Sequence, residues 1–388
     1  MDKYEYLWMC VRNNNLPADI SNTKTATYSY EEIMKMDEHA LIEKCNLSKK
    51  QAAYIMSTKK DRDIDKLYYE FMASPVKAVT INDEEYPDRL RYIENRPFAL
   101  FYLGELPKEN TKSVAIIGAR NCTEYGRLMA ETLGFDLAKN KINVISGMAY
   151  GVDGLAQAAA LDGRRELSTE MALETSSYGV LGSGVDICYP RANRGLYNRL
   201  ITEGGILSEY PILAPAKPDN FPFRNRIISG LSDIVIVVEA RVKSGTFITV
   251  DYALSQGREI MVVPGRATDQ LSVGCNALIS QGAIPVQSAD DVLRLFDTIS
   301  PSAYMSKKDS MEFSCKELKH LVPKEKDKIL LEREENMVYS VLDFYSSSPE
   351  DISKAVNMDI FQVMNILISL EMKGIIKETG KNLYVKCR

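Results

Sequence analysis

The chain has 388 residues, 45% hydrophobic and 26% charged, with a net charge of −5, a composition expected of a globular protein of two or three domains. The negative balance excludes a protein that coats nucleic acid by bulk charge, so a polyanion has to be held by locally concentrated cations. Seven cysteines without C-x-x-C spacing and two histidines, His39 and His320, leave little material for a disulfide framework, a zinc site or a histidine-based triad.

The start, Met1-Asp2-Lys3-Tyr4-Glu5, is charged and carries no secretory pattern, and the most apolar run, Ile234 to Val238, is far short of a bilayer span. The expectation is a cytoplasmic protein with no membrane partner. Residues 1–78 show helical periodicity without strand alternation, and Ser48 with Gln51 forms a capping-box pattern that opens a helix at Lys49. Residues 79–110 connect this helical domain to the next, with a strand over Phe98-Ala99-Leu100-Phe101-Tyr102 after a proline turn. From 111 to 297, strand signals at 114–117, 143–145, 178–181, 205–207, 234–238 and 259–263 alternate with helical stretches. Continuous β-branched runs separated by helices predict an α/β domain, a parallel sheet covered on both faces, with ligands beyond the carboxyl ends of its strands. Residues 298–330 read as a charged linker. Residues 331–388 carry three helical patterns and a short hairpin with Gly380 in its turn, which predicts a winged helix.

Five motifs follow strand ends. Gly118-Ala119-Arg120 closes the first strand, with Gly126 in the helix after it; a glycine there lets backbone approach a phosphate, and Arg120 is suited to fork onto one. The turn alone is equally a tight corner with a surface arginine. Ser146-Gly147 through Asp153-Gly154 replaces the G-x-G-x-x-G and acidic residue of a dinucleotide site, which disfavours a nicotinamide cofactor; Asp153 is a helix cap or a functional group. Gly182 and Ser183 form a third turn leading to Tyr189-Pro190. Arg224-Asn225-Arg226 opens a helix, its two arginines about 200° apart, so that when one faces a ligand the other packs inward. Lys243-Ser244-Gly245-Thr246 is a phosphate cradle or a simple N-cap. Across 111–297 there are 13 Arg and 5 Lys against 20 Asp and Glu, so 18 − 20 leaves this domain near neutral. Charge must be focused, and arginine is the side chain suited to bidentate phosphate contact and base stacking.

In this order the motifs resemble the DNA-processing protein A (DprA/Smf) family, together with Ser208-Glu209-Tyr210-Pro211, Val263-Pro264-Gly265 and Gly274 to Ala283. The resemblance covers residues 80–297 most strongly. It implies an extended Rossmann-like core flanked by an N-terminal sterile-alpha-motif-like (SAM-like) domain and a C-terminal winged helix. It also implies single-stranded DNA as ligand, homodimerisation and loading of a RecA-type recombinase in natural transformation, with no cofactor, metal or catalytic residue. By resemblance Gly118, Arg120, Gly147, Gly182, Ser183, Arg224, Asn225, Arg226 and Ser244-Gly245-Thr246 map to the strand-binding pocket, and Lys243 adjoins it. The chain departs from the family in three places. Gln157 stands for a histidine, Ala119 stands for a serine before Arg120, and 162–177 replaces a shorter glycine-rich turn, leaving Arg164 or Arg165 as candidates for its missing basic residue.

Two other readings stand beside this one. A related nucleotide-processing hydrolase would use Glu209 or Glu239 as acid/base, although pairing with arginines or backbone caps is the commoner fate of such carboxylates. A protein-interaction scaffold would use the terminal domains. The presumed recognition helix, Ile360 to Lys373, carries one lysine and one glutamate, too few polar side chains to read duplex. Ile279, Ile284, Val286 and Val292 are candidates for a dimer surface or for sheet core.

Overall fold

The computed structural model describes all residues except 13–27, 62–63, 168–174, 299–332, 343–347, 357, 374, 381–382 and 387–388. The expected linker over 298–330 therefore lies, beyond Thr298, outside the described residues, as does part of the 162–177 segment.

The main body is a nine-stranded sheet in the order β1-β2-β6-β5-β4-β3-β7-β8-β9. The strands are β1 Lys77–Thr80, β2 Ala99–Gly104, β3 Ser113–Ile117, β4 Asn143–Ser146, β5 Ser177–Val180, β6 Gly205–Ser208, β7 Ile234–Val237, β8 Glu259–Val262 and β9 Ile284–Pro285. The seven from β6 to β9 across the sheet run parallel; β2 pairs antiparallel with β6, and β1 with β2. Strands β3, β4, β5 and β7 are buried at every residue, as their β-branched runs require of a sheet covered on both sides. The expected boundary at 78/79 falls inside β1.

Among the described residues five helices precede the sheet: α1 Lys3–Arg12, α2 Tyr30–Lys35, α3 Glu38–Cys45, α4 Lys49–Asp61 and α5 Ile64–Ala73. The Ser48–Gln51 capping box is present, Ser48 N donating to Gln51 Oε1 at 2.8 Å and Gln51 N to Ser48 Oγ at 3.3 Å. Tyr6 and Met9 of α1 and Phe71 of α5 share a core with Phe101, Leu103 and Ile206 of the sheet. A short helix, α6 (Asp88–Arg91), joins β1 to β2.

From β3 the chain moves outward through β4, β5 and β6, then returns to the opposite side of β3 with β7, β8 and β9. The reversal makes β3 and β7 neighbours whose loops leave in opposite directions, so a crevice opens beyond their carboxyl ends. Helices α7 (Glu124–Lys139), α8 (Val152–Arg165) and α9 (Arg194–Glu203) follow β3, β4 and β5. The first two approach so closely that a Cβ on Gly134 would lie 2.3 Å from the Ala156 carbonyl oxygen, and one on Gly163 2.3 Å from that of Phe135. Val286 and Val292 are fully buried, and Ile279 and Ile284 pack partly buried against the two main cores, so these candidates for a dimer surface are sheet core.

The described residues from Arg333 onward belong to a second compact unit. Three helices, Arg333–Val341, Pro349–Val356 and Ile360–Met372, precede an antiparallel ribbon of Ile376–Gly380 with Leu383–Lys386. In the third helix Val363, Leu367 and Leu370 are buried, whereas Phe361 and Met372 are 77% and 85% exposed. No helix among the described residues is long and apolar enough to cross a membrane.

The close approach of α7 and α8 predicts that Gly134→Ala overpacks the interface and lowers stability by about 1–3 kcal/mol. Urea denaturation of the pure protein checks it; a shift within experimental scatter would show that the helices separate freely.

Candidate functional site

A cleft of about 590 Å³ occupies the crevice beyond β3 and β7. Gly118, Ala119 and Arg120 form one wall, leaving β3. Ser244, Gly245 and Thr246, at the start of α11 (Thr246–Ser255), form another, with Phe221, Arg224 and Asn225 from the first turns of α10 (Asn220–Gly230) between them. An adjoining hollow of about 40 Å³ shares Arg120, Tyr189, Phe221 and Arg224 and adds Gly147, Gly182 and Ser183. Of the site residues expected from the sequence, Arg226 and Lys243 line neither space. Arg226 points to the other side of α10, as the 200° separation allows. Lys243 adjoins the 244–246 turn without entering the cleft.

The two arginines of α10 are both buried but differ in partners. Arg226 and Glu209, 2% and 1% exposed, form a bidentate pair, Nη1–Oε1 at 2.8 Å and Nη2–Oε2 at 2.6 Å. Arg224 donates from Nη1 to the carbonyls of Gly147 (3.1 Å) and Val180, and from Nε to Asn225 Oδ1 (3.2 Å). Burial pulls its pKa down to about 10, opposed by the nearby Asp153 carboxylate. Burial likewise pushes Asp153 above the usual carboxylate range, opposed by Arg224. Asp153 accepts from Gly147 N at 3.1 Å and so ties down the β4–α8 loop.

Arg120 is exposed at the cleft and makes no ion pair among the described residues. The N–H groups of Gly245 and Thr246 are outside the helical hydrogen-bond ladder, as first-turn donors are. Tyr189, 47% exposed, stacks on Phe221 with ring centroids 5.3 Å apart. The cleft thus offers an open guanidinium, free amide donors and aromatic faces, a set that suits an anion carrying planar rings. Tyr189 and Phe221 belong to the sequence motifs but were not among the expected site residues; Tyr189 follows the Gly182–Gly184 turn and Phe221 stands three residues before Arg224, the only signals that mark them.

The glycines of the site have different reasons. A Cβ on Gly118 would lie 2.8 Å from Val152 Cγ2, and one on Gly147 2.6 Å from Arg224 Nη2; these are demanded by the protein's own packing rather than by a phosphate. Gly151, with φ +70, brings α8 against the Ala119 and Arg120 carbonyls. A Cβ on Gly245 would meet nothing within 4 Å, so there the missing side chain opens space to the cleft without serving internal packing.

Glu239, 2% exposed, receives Thr123 N at 2.9 Å and Thr123 Oγ1 at 2.5 Å, and Thr123 in turn caps α7. Glu209 and Glu239 are both engaged in the structure and neither lines the cleft. Gln157 is a buried clamp, accepting from Met148 N at 3.0 Å and donating to the Tyr178 carbonyl at 2.9 Å. Arg165 pairs with Glu203 and Arg164 donates to the Thr175 carbonyl. Both close the carboxyl end of α8, whose amino end faces the cleft, so neither replaces a basic residue there. Among the described residues no cluster of His, Cys, Asp and Glu is placed to hold a metal ion.

The architecture is a Rossmann-like α/β fold whose candidate site lies at the topological switch point and is made of glycine turns, an open arginine and aromatic rings. The family model of DNA recombination-mediator protein A matches residues 77–297, and the chain belongs to that family. It is 38% identical over 229 residues to DNA processing protein DprA of Streptococcus pneumoniae, covering 59% of this chain and 76% of that one. It is 39% identical over 220 residues to Protein Smf of Escherichia coli, spanning 55% of each. The solved structure of the S. pneumoniae protein superimposes with a TM-score of 0.62 at 31% identity over 76% of this chain and 98% of that one. DNA processing protein A of Helicobacter pylori, described for its single-stranded DNA binding mode, gives a TM-score of 0.50 at 28% identity over 57% and 96%.

The Glu209–Arg226 pair is expected to be structural. Glu209→Ala strands a buried guanidinium and should cost about 3–5 kcal/mol, read by chemical denaturation. A loss confined to ligand binding, with stability unchanged, would contradict this.

Proposed function

We propose that the switch-point cleft binds single-stranded DNA non-covalently and that the chain serves recombination in natural transformation, helping a RecA-type recombinase onto the strand. The observation that carries the reading is the convergence of Arg120, the Gly245 and Thr246 amides and the Tyr189–Phe221 pair on one cleft. Phosphates are held by Arg120 and the helix-start amides, and bases lie against the aromatic rings with their edges unpaired. Gly118, Gly147, Gly182 and Ser183 shape the walls, Arg224 and Asn225 form the floor, Lys243 adds charge at the rim, and Arg226 acts at a distance by fixing α10. The relative from H. pylori, described as binding single-stranded DNA, supports the choice of ligand.

The binding is without catalysis, a reading supported by the engagement of Glu209 and Glu239 away from the cleft. Homodimerisation, by the family resemblance, joins two clefts on one strand and adds avidity. The N-terminal helices are the SAM-like domain of this scheme. The C-terminal unit is its winged helix, turned toward protein partners rather than duplex, since the exposed positions of its third helix include Phe361, Ile368 and Met372.

The test is a salt titration of binding to single-stranded and duplex DNA. Log affinity for the single strand should fall linearly with log salt, and duplex should bind more weakly. Arg120→Ala should reduce affinity about tenfold for every sequence and make the salt slope shallower by about 0.7, the share of one phosphate. An unchanged affinity and slope in that variant, or a preference for duplex, would refute the reading.

A further inference from the structure

Resting on that reading, we infer that Asp186 is a positioning residue for base stacking: its carboxylate latches together the two segments that each bring one ring of the Tyr189–Phe221 pair to the cleft. Asp186 itself lines neither the cleft nor the adjoining hollow. It stands in the turn after β5, three residues before Tyr189, and both its oxygens accept from Leu213 N, at 3.1 and 3.0 Å. Leu213 belongs to the other segment, the connection that leads from β6 to Phe221 at the start of α10.

The latch holds a conformation that a leucine does not favour. Leu213 has φ +61, in the left-handed region that a bulky L-residue rarely enters. Its side chain is 53% exposed, so packing is a poor account of the turn. Hydrogen bonds hold it instead. Besides the Asp186 pair, Ala214 N donates to the Pro211 carbonyl at 3.2 Å and Gly184 N to the Ala214 carbonyl at 2.9 Å. Backbone of this kind persists only where its surroundings over-determine it, and it gathers at functional sites.

The two segments also fit closely. A Cβ on Gly184 would lie 2.5 Å from Asp186 Oδ1 and 2.6 Å from the Pro211 carbonyl oxygen, so turn and connection meet with no room for a side chain. At the far end of the connection Asn220 Nδ2 donates to the Gly182 carbonyl at 2.8 Å. Between these ties Pro215, Lys217, Pro218 and Asp219 are exposed, and Pro218 lines the cleft. The ring pair, with centroids 5.3 Å apart and planes 29° from parallel, spans the same two segments. Its geometry therefore depends on how the connection is seated on the turn, and Asp186 supplies the charged acceptor of that seat.

The sign of the charge makes the test decisive. By charge alone, removing a carboxylate near a polyanion tightens binding; loss of the latch weakens it. The experiment uses the full chain, oligothymidylate and an abasic strand of equal length, read by fluorescence anisotropy over a range of salt. Asp186→Ala should bind oligothymidylate about three- to tenfold more weakly, part of the worth of one stacked base. Its affinity for the abasic strand should not fall, and its salt slope should stay that of wild type, because the phosphate contacts are untouched. Asp186→Asn removes the same charge but keeps an acceptor for Leu213 N, and should bind both strands at least as tightly as wild type. Leu213→Gly in the Asp186→Ala background should recover most of the loss, since glycine enters the left-handed region without steric cost. An Asp186→Ala protein that keeps its affinity for oligothymidylate would overturn the inference. So would equal losses on the two strands, an Asp186→Asn protein as weak as Asp186→Ala, or no recovery in the double variant. A wild-type chain that binds oligothymidylate no better than the abasic strand would instead overturn the reading of the rings as a base platform, on which the inference rests.

Discussion

The buried guanidinium of Arg224 is the constraint from which the rest of the site follows. A charge taken out of water is tolerated only where it is compensated, and Arg224 donates from Nη1 to the Gly147 and Val180 carbonyls and from Nε to the Asn225 amide, beside the Asp153 carboxylate. Those partners sit at the ends of β4 and β5 and on α10. One side chain therefore fixes the floor of the cleft, the course of the β4–α8 loop and the orientation of a neighbouring amide. Its lowered pKa reflects that burial, and the raised pKa of Asp153 reflects the same scarcity of water.

The sheet supplies the place. Because β3 has β4 on one side and β7 on the other, the loops that leave its end of the sheet diverge and open the crevice between them. Glu239 steadies one side of this opening through Thr123, which caps α7. The Glu209–Arg226 pair steadies the other through α10. Two carboxylates that would look catalytic by composition are thus consumed in holding the surroundings of the cleft still, while Arg120 stays open to it.

Much of this was legible in the sequence. The central strands announce themselves because strands buried on both faces must be apolar throughout, and glycine turns at their ends mark the ligand side. Strand order was not legible, since the return of β7 to the far side of β3 is a tertiary choice with no local signature. β1 leaves little trace because it is a short edge strand with an exposed first residue. The opposite facing of Arg224 and Arg226 followed from helical geometry, but that both are buried while Arg120 is open depends on segments distant in the chain. Gly118 and Gly147 look like phosphate-approach glycines and prove to be packing glycines, because what lies over them, Val152 and Arg224, is set by the fold. Tyr189 and Phe221 read equally as core aromatics until the structure shows them stacked at the cleft.

The most direct measurement of the central claim is where a bound strand touches the protein. Photocrosslinking of a 5-iododeoxyuridine-substituted single strand to the full chain, followed by peptide mapping, is predicted to label the segments carrying Tyr189 and Phe221. Labelling confined to the helix Ile360–Met372, or to the outer strand β9, with those two segments untouched, would contradict a strand held at the switch point of the sheet.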